Sequence, residues 1–243
     1  MAFFDQADWD IRFEWGLSGV EQLGPAAAVA VIVDVLSFTT AVDVAVGRGA
    51  EVLPFLWRDE RAEAFAAEHG ALLASHDRRQ GLSLSPASLQ GVAPKTKLVL
   101  PSPNGATLAF SATSGTVVAA CLRNAEAVAA WINRGPRPVA VFAAGERWAD
   151  GSLRPAIEDL IGAGAVIIGL AGTKSPEARA AEAVFLAAAA EGLDAVIRAC
   201  SSGRELVERG FEGDVALASA LSVSGAVPML QGGAFQDVVA SGR

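Results

Sequence analysis

The residues most able to do chemistry lie in AAGERWADGSLRPAIED (143–159). There Glu146, Asp150, Glu158 and Asp159 alternate with Arg147 and Arg154, in a chain that is only 19% charged. Carboxylate oxygens suit Mg²⁺, which takes one or two of them together with substrate phosphate oxygens. Arginine pairs with phosphate through a planar two-pronged fork. Part of the stretch has a simpler explanation. Asp150-Gly151 is a turn signal, Pro155 suits a first helical turn, and acids at 158 and 159 favour the positive end of a helix. Glu146 and Arg147 fall outside that explanation.

Other polar residues stand at comparable places. Asp34 closes the apolar run AAAVAVIVD, and a carboxylate at the end of a buried strand is costly unless paired or bound to a cation. Ser37, Thr39 and Thr40 follow it and read as helix-capping hydroxyls. Ser102-Pro103-Asn104-Gly105 follows KLVL; it is turn chemistry that can also offer backbone N–H groups to an anion. Arg123-Asn124 follows TVVAAC, where an arginine opposes the helix dipole at a cost that an anionic ligand would offset. Arg48, Arg61, Arg78 and Arg79 read as solvated charge.

The elements that must position these residues share one grammar. Short β-branched runs at 26–34, 50–56, 97–100, 116–121 and 138–144 each lead through small or polar residues into a helical pattern. Continuous apolar strands alternating with helices predict an α/β fold, a mostly parallel sheet with helices on both faces. Ligands in such sheets bind beyond the strands' carboxyl ends, where Asp34, Ser102–Gly105, Arg123-Asn124 and Glu146 are expected to converge. From about residue 176 the pattern turns helical, so the chain reads as one domain, 1–243, with 176–243 mainly helical. GAGAVIIG (162–169) resembles a dinucleotide fingerprint but falls inside a helix, where its glycines read as close helix–sheet packing.

Composition narrows the chemistry. With 52% hydrophobic residues the 243-residue chain can bury a large core, and a net charge of −8 argues against nucleic acid as a partner. Cys121 and Cys200 have no metal-ligand spacing and read as buried apolar residues. The acidic start MAFFDQADWD lacks the pattern of a signal peptide, and no apolar run is long enough to span a bilayer, so a cytoplasmic protein without a membrane partner is expected. The two histidines, His69 and His76, form no Ser-His-Asp or HExxH arrangement, and no GxxxxGK[ST] exists. Leu36 occupies the place where a haloacid-dehalogenase-type site needs a second aspartate after Asp34. What remains is carboxylate and arginine chemistry, assisted by a metal, on a small anionic substrate.

Taken together, VIVDVLSFTTAV (31–42), LPSPNGATL (100–108), CLRNAEAVA (121–129), AAGERWADGSLRPAIEDLIGAGAVI (143–167), SSGRELVERGFEGDVALA (201–218) and the terminal VPML…GAF (227–235) resemble the 2-phosphosulfolactate phosphatase family. The resemblance runs from about residue 29 to the end. It implies Mg²⁺-dependent hydrolysis of 2-phospho-3-sulfolactate to sulfolactate, a step of coenzyme M biosynthesis. It makes Asp34 and Glu146 candidates for acid–base or nucleophilic work, and Asp34, Glu146, Glu158 and Asp159 candidate metal ligands. Ser37, Thr39, Ser102, Asn104, Gly105, Arg123, Asn124, Arg147 and Arg154 become candidate substrate-binding residues. Oligomeric state is left open, a homo-oligomer included. Two departures stand out. The family's DVLRATT carries arginine and alanine where this chain has Ser37 and Phe38, which removes a cation that serine cannot replace. ASHDRRQGLSLSPAS (74–88) is also shorter than the family's middle stretch, and His76, Arg78 or Arg79 are its candidates for making up that charge.

Overall fold

The computed structural model describes residues 4–56 and 59–239. Residues 1–3, 57, 58 and 240–243, which the single-domain reading also covered, lie outside them. Strands β1 (Ile11–Trp15), β2 (Val29–Val33), β3 (Glu51–Phe55), β4 (Leu72–Leu73), β5 (Lys97–Pro101), β6 (Thr116–Ala120) and β7 (Val139–Ala143) alternate with helices. The helices are α1 (Gly16–Leu23), α2 (Phe38–Gly47), α3 (Glu60–His69), α4 (Gly105–Ser111) and α5 (Ala125–Ile132). A small hairpin of β8 (Glu146–Arg147) and β9 (Leu153–Arg154) precedes α6 (Ile157–Ile168). Then come α7 (Pro176–Glu191), α8 (Leu193–Ala199), α9 (Ser201–Glu208) and α10 (Glu212–Ser219), and the chain closes with β10 (Pro228–Gln231) and β11 (Ala234–Asp237).

All five predicted strands are present. Every residue of β2 is buried because both sheet faces are covered, as its unbroken apolar run requires. Val29, Val31 and Val33 face a core shared with α5, α6 and α7, while Ala30 and Ile32 face one shared with α1, α2 and α4. The two-residue side-chain period of a strand thus distributes one sequence between two layers.

The sheet order is β1-β7-β2-β6-β10-β11-β3-β5-β4. Pairings within β1-β7-β2-β6 and within β3-β5-β4 are parallel. The terminal hairpin joins these blocks through three successive antiparallel pairings, β6 to β10, β10 to β11 and β11 to β3. The expected helical C-terminal part is present as α7 to α10, and its last segment adds this short stretch of sheet, turned by Gly232 and Gly233 at φ 56 and 86, angles that favour glycine in a two-residue hairpin.

The α6 glycines pack as expected, and on two surfaces. A Cβ on Gly162 would press on Val33 and Val35 at the end of β2, and one on Gly164 would overlap the Ala181 carbonyl oxygen of α7. Gly164→Ala is expected to destabilise the protein by about 1–3 kcal/mol, since the α6–α7 pair must spread to admit a methyl group. Urea denaturation checks this; an unchanged midpoint would show that the helices are not in contact at that point.

Candidate active site

The end of β2 builds the first wall. Asp34 is 6% exposed, and both of its oxygens are occupied by backbone: Oδ1 accepts from Phe38 N at 3.2 Å and Oδ2 from Gly105 N at 2.8 Å. The first bond caps α2, a task expected of the neighbouring hydroxyls. Ser37 makes no capping bond. Thr39 Oγ1 instead closes a loop on Asp34, donating to its carbonyl at 2.8 Å and accepting from its N–H at 3.0 Å. The second bond shows what the start of α4 does: the anion held by its first N–H is Asp34 itself.

Asn104, one residue earlier, reaches the second wall. Its Nδ2 donates to Glu146 Oε2 at 3.0 Å. Adjacent residues of one loop therefore tie together carboxylates that lie 112 positions apart in sequence, after β2 and after β7. The expected convergence of strand ends holds for β2 and β7, which are neighbours. The β5 end belongs to the other parallel block and arrives through the Ser102–Asn104 loop.

Burial and like charge act on these acids together. Desolvation and then the Glu146 charge raise Asp34 to about 7, against the two backbone bonds that favour its anion. Glu146 is also pushed up, mainly by burial, with Asn104 opposing. Asp159 is raised well above the usual carboxylate range by burial and then by the Asp34 charge.

The four predicted metal ligands separate into groups. Asp159 is committed to the backbone, with Oδ1 accepting from Val35 N at 2.7 Å and Oδ2 from Gly145 N at 2.8 Å. It fixes the strand-end loops that carry Asp34 and Glu146. Glu158 is buried, with Oε2 unpartnered among the described residues. Asp34 and Glu146 line one cavity of about 400 Å³. Among the described residues no group of three or more His, Cys, Asp or Glu side chains is placed to hold a metal ion. Two facing carboxylates whose mutual repulsion a divalent cation would relieve fit Mg²⁺, which needs no more than that from the protein when phosphate oxygens complete its shell. A cage of all four carboxylates does not form.

Of the remaining candidates, Ser37, Ser102, Asn104, Arg147 and Arg154 line the same cavity. Arg154 donates to Ser202 Oγ at 3.1 Å, and its guanidinium lies 5.9 Å from the exposed Trp148 ring. Arg147 donates to Gly151 O at 3.1 Å across the hairpin turn. Arg123 lies elsewhere. It pairs with the buried Asp43 at 2.8 Å and lines a separate cavity of about 660 Å³ with Ser224 and Asp237. Asn124 is fully buried and bonds Cys121 N at 2.9 Å, so it shapes a turn.

The Arg78 expectation is also corrected. Only 15% of its side chain is exposed, and it pairs with Asp214 at 3.2 Å. Nη2 donates to Ser37 Oγ at 3.0 Å, which brings a cation to the position where the family's arginine is missing. Arg78 and His76, both candidates for making up the missing charge, line the cavity, and so do Ser202, Glu205 and Arg209, to which the sequence gives no site role.

A family model described as 2-phosphosulpholactate phosphatase matches residues 19–233. The chain belongs to the 2-phosphosulpholactate phosphatase family. That match takes in both walls of the cavity and the α9 residues Ser202, Glu205 and Leu206 that line it. As a family member the chain is a phosphoric monoester hydrolase, and its substrate is a small phosphorylated molecule. No curated protein matches the chain. No described helix is long and apolar enough to cross a membrane.

Proposed function

We propose that the chain hydrolyses 2-phospho-3-sulfolactate to sulfolactate and phosphate with the help of Mg²⁺, which Asp34 and Glu146 would hold. The observation that carries this reading is the Asn104-Gly105 bridge, which holds two desolvated carboxylates of raised proton affinity on one arginine-lined cavity. When bound, Mg²⁺ supplies Lewis-acid polarisation of a phosphoryl oxygen. The chain's own groups do the rest. Arg147 and Arg154, on the β8–β9 hairpin beside Glu146, offset charge that builds on the transferring phosphoryl group. Asn104 orients Glu146. Asp34, fixed by two backbone N–H groups, either accepts a proton from the attacking water or attacks phosphorus itself; in both routes the phosphorus–oxygen bond to sulfolactate breaks and the leaving alkoxide takes a proton from solvent. Direct attack would leave a phospho-aspartate that quenching can trap and that a water then hydrolyses to phosphate.

The test is phosphate release from a panel of phosphorylated hydroxy acids with Mg²⁺ and with EDTA. Turnover is expected to be fastest on 2-phospho-3-sulfolactate and lost in EDTA. Faster turnover of another phosphorylated hydroxy acid would reassign the substrate, a reading that Ser37 keeps in play. Turnover indifferent to EDTA would remove the metal, and absence of turnover on the whole panel would leave an anion-binding relative.

A further inference from the structure

Three guanidinium groups crowd one aromatic ring beside the cavity, and two of them, Arg78 and Arg209, line it. The guanidinium carbons of Arg78, Arg79 and Arg209 lie 5.8, 5.1 and 5.9 Å from the Phe211 ring centre. Each gains from the ring face, but three like charges in that space repel. Arg209 is offset by Glu205 at 2.9 Å, an exposed pair of little strength. Arg79 is exposed and donates to the Arg209 carbonyl at 2.8 Å. Arg78 lines the cavity, as Arg209 does, but differs from both in being part-buried.

A buried carboxylate holds Arg78 there. Asp214 of α10 is 1% exposed. Its Oδ1 accepts from Ser85 Oγ at 2.5 Å and from Ala87 N at 3.0 Å, and its Oδ2 takes Arg78 Nη1 at 3.2 Å. With its other prong on Ser37 Oγ at 3.0 Å, the guanidinium is fixed in a plane three residues along the loop from Asp34. A phosphoryl group between Asp34, Glu146, Arg147 and Arg154 already has its cations. The three guanidinium groups around Phe211 outnumber the carboxylates paired with them, Asp214 and Glu205, so this end suits an anion that is not transferred.

We propose that Arg78 is a specificity-determining residue that takes the substrate's carboxylate or sulfonate, and that Asp214 is the positioning residue that aims it. The assignment rests on the same site as the proposed function, but its test does not need turnover. Binding of 3-sulfolactate, which carries both acids and no phosphate, and of inorganic phosphate is measured by calorimetry for the wild type, Arg78→Ala, Arg78→Lys and Asp214→Asn. Arg78→Ala is expected to weaken 3-sulfolactate by about 10–100-fold and to leave phosphate within about threefold. Arg78→Lys keeps the charge but not the fork and loses about tenfold; Asp214→Asn loses about as much with the same selectivity. If Arg78→Ala does not fold, the lysine variant carries the comparison. Equal weakening of both ligands, or a wild type that does not bind 3-sulfolactate, overturns the assignment. A wild type that binds 3-sulfolactate through Arg78 yet releases phosphate from nothing would sink the proposed function and leave this assignment standing.

Discussion

Asp34→Asn is expected to lower phosphate release by at least about three orders of magnitude and to flatten the dependence of stability on pH. The loss follows from the proposed role: removing a group that handles the proton or forms the bond costs about 10²–10⁴-fold, and a metal ligand is removed with it. The pH effect follows from burial. The folded protein raises Asp34 from 3.8 to about 7, so the folded state holds this proton more tightly than the unfolded chain. A group shifted upward stabilises the fold at low pH, and that contribution fades as pH rises from about 4 through about 7. Its full size is on the order of 4 kcal/mol at most. Asp159 is shifted in the same direction and adds to the trend.

Asparagine removes the ionisation but not the crowding. One of its two positions must be an NH₂ facing either Phe38 N–H or Gly105 N–H, where the carboxylate accepted from both. The variant gives up about 1–3 kcal/mol at that contact at every pH, so its absolute stability is a poor guide and its slope is the informative quantity. Melting temperatures in EDTA at pH 5 and pH 8 should differ clearly for the wild type and much less for the variant. Mg²⁺ should restore the wild type at pH 8 and leave the variant unmoved. Identical slopes would show that Asp34 is ionised at ordinary pH, and turnover above about a tenth of wild type would remove it from the chemistry.

What could be read in the sequence follows from which physics is local. The run VIVD exposes both a doubly covered strand and the anomaly at its end, because burial of every position leaves no ordinary reason for a carboxylate. Glu146 was legible on the same ground. Strand β1 was not: Arg12 and Glu14 interrupt IRFEW, and Arg12 is buried by donating to the Trp9 and Ala7 carbonyls, a local solution with no apolar signature. The terminal hairpin has a local signature of its own, Gly232-Gly233 between apolar runs. The arginines show the limit most clearly. Arg78 and Arg123 both lie in short polar stretches, and only tertiary partners separate them. Asp43 held a clue to the second. It sits in the middle of α2, whose residues from Phe38 to Val46 are all buried, so it needed a cation from elsewhere in the chain. Nothing comparable pointed from Arg78 to Asp214, 136 residues away.

Gly105→Ala should damage stability and turnover together. A Cβ at position 105 would stand 2.5 Å from Phe38 Cδ1, 2.7 Å from Asp34 Oδ2 and 2.9 Å from Asp34 Cβ. None of the three neighbours can retreat easily. Phe38 is fully buried and packs edge-to-face on Phe235 of β11 at 6.2 Å, so the terminal hairpin backs it. Asp34 is held by its own backbone contacts and ends a central strand. The loop must give instead, which lengthens the Gly105–Asp34 bond and carries Asn104 away from Glu146. Overpacking of this kind costs about 1–3 kcal/mol, and misplacing reacting groups by about 1 Å costs on the order of 10²-fold in rate. Gly151→Ala is the matched control. Its φ of +84 strains any side chain but nothing lies within 4 Å, so it should lose about 1–2 kcal/mol with turnover nearly intact. If Gly105→Ala behaves like Gly151→Ala, with stability reduced and rate preserved, the Asn104-Gly105 bridge does not organise the two carboxylates for catalysis, and Asp34 and Glu146 act independently of it.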